Sequence, residues 1–511
     1  MSLALTASTT RSTSETRRLV LFLALHIVVW TGFCLLYLAP SDLQNDMTEA
    51  FSWGQEMQWG YYKHPPFYAW VVRAWFSVWP TTDWAFYLLS SINSAIGLAA
   101  VWAIAGRYLA GPARLAAVLL LEFLPFYTFQ SFNFNANSVL LSLWPLTVLL
   151  FLRSYDRRDV ASAVALGTVA AAAMLSKYYS GIILACCLVA ALAHPDRRRY
   201  FASATPYVAL AVMAVLLTPH VLWHMNVAIG PMQYMASKSH SGVLRIFSKA
   251  GLFIVGCIAV HMVAAAILAW LWRRGRATPG DRPVAPSTGD NRMLAVFALG
   301  PFVLTVLIAL VFQVKIVIQF AIPIFALSPL AAIVWLRIAV DDRSLRRLAG
   351  VTAAFVVLLL AAAPFAGLKT LQGNIELAAE PRRAVAEELT QLWHDRIGTP
   401  LGVVAGTESY ALGTTYYSPD HPSDFTGFAT GYAPWIDTDR LRRDGLAVIC
   451  LSRDAWCMRE AGKYDHLDTV RSSFSVGKTL FGVAGRTYDF TAILVRPGQT
   501  LPMNVIRMRP F

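Results

Sequence analysis

Charge is scarce in this chain: only 14% of its 511 residues are Asp, Glu, Lys or Arg, against 56% hydrophobic residues. That balance does not cover the water-facing surface of several soluble domains. No closely spaced cysteine pair of the metal-binding kind, no phosphate-cradling glycine loop and no dinucleotide glycine pattern occurs, which excludes the usual soluble enzyme classes and nucleotide-driven pumps. Cysteine is limited to six positions. Cys34, Cys186, Cys187 and Cys257 lie in apolar runs and read as small buried hydrophobes. Cys450 and Cys457 lie in a polar region, where an extracytoplasmic setting permits a disulfide closing a short loop; paired and unpaired states both stay open. The first apolar stretch lacks a small-residue cleavage site after it and reads as a retained span, not a removed signal peptide.

What the chain has in quantity is long apolar runs. Windows at 19–40, 202–223, 293–312, 316–336 and 348–368 are each about 20 residues, enough to cross a hydrocarbon core of about 30 Å. The formal charge of +13 resides mainly in alternate short loops, at Arg17 and Arg18, Arg107 and Arg114, Arg153 with Arg157 and Arg158, Arg197 to Arg199, Arg273 with Arg274 and Arg276, and Arg343 with Arg346 and Arg347. This positive-inside pattern accounts for the charge without nucleic acid as a partner. The expected fold is an α-helical polytopic membrane protein of about eleven spans, near 19–40, 84–106, 115–131, 136–152, 160–176, 181–194, 202–222, 247–271, 293–312, 316–336 and 348–368. The N-terminus is then cytoplasmic. A membrane domain over 1–368 precedes a small extracytoplasmic α/β domain over 369–511, with an amphipathic helix at 379–396 and strands at Leu401–Ala405, Leu446–Leu451 and Ala492–Val495. The cytoplasmic stretch 275–291 reads as a flexible loop.

Two outer loops, 41–83 and 223–246, exceed what connection requires, and long loops on one face tend to carry function. Trp53, Trp59, Trp70, Trp75 and Trp79 in the first loop suit the headgroup layer as anchors. Asp42, Asp46 and Glu49, spaced i, i+4 and i+7, share one face if the segment is helical; a solvated acidic face at a helix start explains the same spacing. In Tyr61-Tyr62-Lys63-His64-Pro65-Pro66, the prolines stiffen the backbone that presents Lys63 and His64 to an interfacial phosphate; snorkelling by Lys63 and capping by His64 are the plainer alternatives. Lys177, beside Tyr178 and Tyr179, interrupts an apolar hairpin and either reaches an anion or snorkels to water. His220 and His224 are placed i, i+4, as a metal pair or as packing residues. Glu122 falls within an expected span, as a functional carboxylate or as the partner of a neighbouring helix. Lys315 and Gln319, at an outer hairpin, are further candidates for a lipid phosphate contact.

The first-loop residues Asp46, Glu49, Trp53 and Gln55, followed by Gly60-Tyr61-Tyr62-Lys63-His64-Pro65-Pro66, resemble the motif of the GT-C class of multi-spanning glycosyltransferases. The pattern is similar to the branch related to protein O-mannosyltransferases, lipid A aminoarabinose transferases and rhizobial lipid A galacturonosyltransferases. Asn135-Ala136-Asn137 with Trp144-Pro145, Leu175-Ser176-Lys177-Tyr178, and Pro219-His220 with Trp223 extend it through the membrane region. The resemblance implies inverting transfer from a polyprenyl-phosphate sugar to an extracytoplasmic acceptor, most naturally lipid A or a related envelope glycolipid, in a bacterial inner membrane. It assigns Asp46 as base, with Glu49 beside it in the motif, and Lys63 and His64 to the donor phosphate; Lys177 and Tyr178, from the interrupted hairpin, join them as donor-phosphate candidates. Asn137, His220, Trp223, Lys315 and Gln319 are the further pocket candidates. Many relatives have an acid where this chain has Met47 and another where it has Asn137, and both losses weaken the case for a tightly bound divalent metal, though one stays possible.

The chemistry asks for the same parts: a carboxylate to deprotonate the acceptor, a cation for the departing phosphate, and a water-poor pocket. A secondary transporter or lipid flippase is the rival, and would place its polar groups near the bilayer midplane in two related halves; an accessory scaffold with a soluble binding domain is a third reading. The charge pattern makes the topology testable. A cysteine introduced into the 275–291 loop should resist an impermeant thiol reagent in intact cells, and one introduced near residue 420 should react; the reverse pattern overturns the orientation.

Overall fold

The computed structural model describes residues 2–227, 229–234, 243–274, 283, 285–372, 380–480 and 482–501. They form two compact units. One gathers the described residues of 1–33, 87–221 and 235–359, the other those of 34–86, 222–234 and 360–501.

Among the described residues six helices are long and apolar enough to cross a membrane: Ser14–Tyr37, Asp83–Ala105, Thr205–Asn226, Leu244–Arg273, Thr288–Val311 and Asp342–Thr370. The polytopic helical architecture is as expected, but the count of eleven is not confirmed. Of the remaining five windows, those at 136–152, 160–176 and 181–194 are the helices Leu140–Arg157, Val160–Ser176 and Gly181–Ala193. Proline interrupts the other two, because it removes a helical hydrogen bond and clashes with the preceding turn. The window expected at 115–131 is a helix over Pro112–Leu119 followed by 3-10 turns at Leu120–Phe123 and Pro125–Tyr127. That at 316–336 is a turn at Ile318–Ala321 and a helix over Ser328–Trp335, with Pro323 and Pro329 between and within them. The 275–291 loop lies largely outside the described residues; a helix starts at Thr288, capped by Ser287, whose hydroxyl accepts from the Asp290 amide.

In the first unit, polar side chains within apolar helices find partners inside the protein, as a low-dielectric setting demands. On the helix Asp83–Ala105, Ser90 donates to the Phe132 carbonyl at 2.8 Å and Asn93 to the Ser138 carbonyl at 2.7 Å, while Ser142 donates to the Asn93 amide oxygen at 2.6 Å. Glu122 is buried and resolves its alternatives toward a partner role. One oxygen lies 2.6 Å from His26 Nδ1 and the other accepts from Trp30 Nε1 at 2.8 Å; His26 Nε2 lies 2.7 Å from Ser94 Oγ.

The second unit joins the loop after the first apolar helix to the C-terminal part of the chain. Helix α2 here denotes Asn45–Glu56 and α3 Phe67–Phe76, the helix Ser2–Tyr37 being α1. The sheet comprises β1 (Val403–Gly406), β2 (Ser423–Asp424), β3 (Leu446–Leu451), β4 (Thr469–Leu480) and β5 (Val483–Val495), ordered β2-β1-β3-β5-β4. β1 runs parallel to β2 and β3, while β5 is antiparallel to both β3 and β4. Apolar clusters cover both faces. One includes Val403, Phe425, Leu446, Val448 and Ile493, and the other Val385, Leu389, Trp393, Val404 and Phe490. The expected helix at 379–396 is Arg382–Ile397, and the three expected strands lie in or beside β1, β3 and β5.

Asp42 departs from the expected helical face. The helix begins at Asn45, and the Asp42 carboxylate instead receives Lys478 Nζ at 2.9 Å and the Arg383 amide at 2.9 Å. Alongside, the buried Arg382 guanidinium donates to the Leu43 carbonyl and pairs with Glu380 at 2.7 Å, and the Leu43 amide donates to the Tyr417 hydroxyl at 2.8 Å. Cys450 and Cys457 form a disulfide, and Cys34, Cys186, Cys187 and Cys257 are free and buried.

Glu122→Ala strips both His26 and Trp30 of their acceptor, and should cost roughly 3–5 kcal/mol, the scale for breaking a buried pair. Trp30→Phe removes one donor and should cost about 1–3 kcal/mol. Thermal unfolding of the purified protein in detergent should rank the two in that order; equal effects would show that the His26 contact carries little.

Candidate active site

Helix α2 begins after the extended residue Gln44, and Asp46 sits exposed in its first turn, where the positive end of the helix dipole favours a carboxylate. Glu49, three residues on, is buried. The turn after α2 is clamped back onto it: the Tyr61 ring stacks on Trp53 with centroids 4.6 Å apart, its hydroxyl donates to the Trp53 carbonyl, and the Tyr61 amide donates to the His64 carbonyl at 3.0 Å. Pro65 and Pro66 then lead into α3. This folding back places Lys63 Nζ 2.7 Å from Glu49 Oε1. Gly60 meets the Trp223 ring so closely that a Cβ there would collide with it, which brings Trp223 against the same turn. The His64 ring lies edge-on to Tyr68 at 6.0 Å.

A second carboxylate reaches Lys63 from the sheet: Glu408 Oε1 lies 2.9 Å from Nζ. β1 ends at Gly406 with φ of 140°, a backbone conformation suited to glycine, and a Cβ there would strike the Ile449 carbonyl. That tight passage leads directly into the helix Glu408–Tyr417. Because β2 lies on one side of β1 and β3 on the other, Glu408 stands at the carboxyl end of the strands where the connection reverses direction, a customary place for functional groups in open α/β sheets. Asp424, at the end of β2, is buried, and its side chain accepts from the Thr426 hydroxyl. The Tyr62 ring lies beneath Lys63, with Nζ 5.3 Å from its centroid, and packs against Tyr432 at 4.8 Å and Tyr234 at 5.8 Å.

Electrostatics follow from this crowding. Burial pushes the Glu49 carboxyl up to about 7, Lys63 opposes the shift, and Asp46 and Glu408 add to it. Burial likewise raises Asp424 to about 7, against the pull of Thr426. For Lys63, burial alone disfavours the ammonium, but the carboxylates, Glu49 foremost, outweigh it and raise the pKa, so the group stays charged.

The first unit brings together a different set of expected residues. Lys177 Nζ donates to the Asn137 side-chain oxygen and lies 4.7 Å from the centroid of the Phe320 ring. The Tyr178 hydroxyl is 2.6 Å from His220 Nε2, so His220 has a neighbouring helix end as its partner. Lys315 and Gln319 are exposed. Among the described residues, no three His, Cys, Asp or Glu side chains are grouped to hold a metal ion. Glu408 and Asp424 escaped the sequence reading. Their signal was a short apolar strand ending in Gly406-Thr407-Glu408, the strand-to-helix passage of an α/β site.

The raised Glu49 pKa sets a sign for stability. A carboxyl held at about 7 when folded and near 4.5 when unfolded favours folding fully below about 4.5, and that contribution is lost as pH rises through about 7. The difference corresponds to roughly 3 kcal/mol at most. Glu49→Gln should therefore flatten the decline in thermal stability between pH 5 and 8 relative to the parent protein; parallel profiles would place the titrating group elsewhere.

Residues 63–223 match the family model described as dolichyl-phosphate-mannose-protein mannosyltransferase. The chain is 28% identical over 272 residues to the lipopolysaccharide core galacturonosyltransferase RgtA of Rhizobium johnstonii, covering 52% of this chain and 54% of that protein. It is 26% identical over 229 residues to the lipid A galacturonosyltransferase RgtD of the same organism, covering 44% and 47% respectively. The chain thus spans about half the length of the curated relatives it matches. The structure of ArnT from Cupriavidus metallidurans bound to undecaprenyl phosphate superposes with a TM-score of 0.61 at 15% identity, over 93% of this chain and 98% of that one; its apo form gives 0.60 at 16%. The chain therefore has the ArnT fold and is related in sequence to the rhizobial galacturonosyltransferases, as the first-loop resemblance implied.

Proposed function

We propose that this protein is a membrane glycosyltransferase that moves a sugar from a polyprenyl-phosphate donor to an envelope glycolipid, lipid A or a close relative. The observation that carries the reading is the Lys63 ammonium, held 2.7 Å from the buried Glu49 on the same short helix that exposes Asp46. An ammonium paired to one residue of this helix, with an exposed carboxylate one turn earlier on it, supplies candidates for a phosphate site and a base. The activities for which the two rhizobial relatives are named and the undecaprenyl phosphate bound by ArnT support the donor and acceptor classes.

In the proposed reaction an acceptor hydroxyl oxygen attacks the anomeric carbon from the face opposite the phosphate. The bond from that carbon to the phosphate oxygen breaks, and its electron pair leaves with the polyprenyl phosphate. The hydroxyl proton passes to Asp46, and the anomeric configuration inverts. Lys63 offsets the charge that builds on the leaving phosphate, with His64 beside it in the same turn. Glu49 fixes the lysine in place. Lys177 and Tyr178, with Asn137 and His220 as their partners, and Trp223, Lys315 and Gln319 remain proposed pocket residues. Such a site belongs on the extracytoplasmic face of a bacterial inner membrane, with the N-terminus in the cytoplasm.

Asp46→Asn keeps size and hydrogen-bonding capacity but removes the basic oxygen, and should slow transfer by about 10²-fold or more while the protein still folds. Glu49→Gln should cost less, and Lys63→Ala should weaken donor use more than acceptor use. Assays of purified protein with polyprenyl-phosphate sugar and lipid A decide the matter: normal rates in both carboxylate variants, or efficient transfer from a nucleotide sugar alone, would refute the mechanism.

A further inference from the structure

Lys63 is held by two carboxylates that differ in one respect. Glu49 is 2.7 Å away with its side chain 7% exposed, whereas Glu408 is 2.9 Å away with its side chain 52% exposed. Glu49 is enclosed on a helix whose residues Met47 to Gly54 are all buried. Glu408 is the first residue of its helix, immediately after the Gly406-Thr407 passage, and its carboxylate has solvent to move into. Asp46 adds its charge to the surroundings of Glu49, and Glu49 and Glu408 both act on the buried Asp424.

With both carboxyls ionised, above the point where Glu49 gives up its proton, one lysine between them leaves the trio with a formal charge of −1. A phosphate approaching that trio is repelled until one carboxylate withdraws, since like charges at such separations disfavour one another. The enclosed Glu49 cannot withdraw without leaving a buried charge unpaired, but the half-exposed Glu408 can.

We propose that Glu408 is a positioning residue of the donor site. Its carboxylate occupies the phosphate seat on Lys63 when the site is empty, swings into solvent when the donor binds, and returns to help eject the product. This rests on the reading of Lys63 as the phosphate-binding cation. The return stroke matters because of a change in charge. The donor phosphate is a diester with one negative charge, whereas the released polyprenyl phosphate is a monoester approaching two near neutral pH, so Lys63 holds product more firmly than donor. A carboxylate that competes for Lys63 offsets that preference. The C-terminal part of this unit thereby takes part in turnover.

The test uses full-length purified protein in detergent micelles with undecaprenyl phosphate as probe. Glu408→Gln keeps the side chain's shape and removes its charge, and should tighten binding of undecaprenyl phosphate about fivefold, the value of one half-exposed ion pair. It should also lower the multiple-turnover rate relative to the single-turnover rate, since release becomes limiting. Glu408→Asp restores the charge and should return both readouts toward the parent protein. Unchanged or weaker binding in Glu408→Gln, or equal behaviour of the Asp and Gln variants, overturns the competition. Lys63→Met separates the two readings. If it binds undecaprenyl phosphate as well as the parent does, the phosphate assignment of Lys63 falls and the proposal with it; if it loses binding while Glu408→Gln gains none, only the role of Glu408 is wrong.

Discussion

A lysine ammonium taken partly out of water must be met by negative charge, and around Lys63 three separate pieces of chain are arranged to meet that demand. The helix α2 brings Glu49, the tyrosine and proline turn after it brings the lysine, and the passage out of β1 brings Glu408. Each piece has its own local cause. Stacking of Tyr61 on Trp53 folds the turn back onto the helix, and the glycine conformation at Gly406 lets the strand pass directly into the next helix. The unit containing the first loop and the sheet is thus organised around satisfying one cation, with Asp42 meeting Lys478 and Glu380 meeting Arg382 as further ion pairs of the same unit.

The sequence was most readable where one residue type acts through its immediate neighbours. Arginines bounding apolar runs, the amphipathic pattern before residue 396 and the short apolar strands needed no distant partner to be recognised. Glu49 and Lys63 could be picked out together because they lie 14 positions apart in a single motif. Asp42 shows the limit of that reasoning: periodicity extended the helix by one turn too many, while the carboxylate was answering Lys478 and the Arg383 amide far along the chain. The span count is left unconfirmed for a related reason. Hydropathy registers how apolar a window is and is indifferent to Pro125 or Pro323, which decide whether its backbone continues as a helix.

The rest was hidden by distance or by polarity. β4 lies at the edge of the sheet, and its apolar positions Val470, Phe474 and Val476 are interrupted by Ser472 and Lys478, which blurs the alternation that reveals a buried strand. Lys177 and Asn137 are 40 residues apart, and nothing in either segment announces the other. Glu122 was open to two readings until His26 and Trp30 appeared beside it; its neighbours, not its own position in an apolar run, settle what an intramembrane carboxylate does.

The separation between Lys63 and Glu408 also has a meaning in time. The two residues are 345 positions apart in a chain that is made from its N-terminus onward. At a synthesis rate of about 5–20 residues per second, the first loop emerges roughly 20 to 70 s before the carboxylate that will sit against its lysine exists. During that interval Lys63 can be met by Glu49, its near neighbour, and the loop can hold its local shape through Trp53 and Tyr61 alone. The contact with Glu408 forms only after residue 408 has been made, so a chain released before that point would carry the loop acids and the lysine yet lack the counter-charge that completes their arrangement.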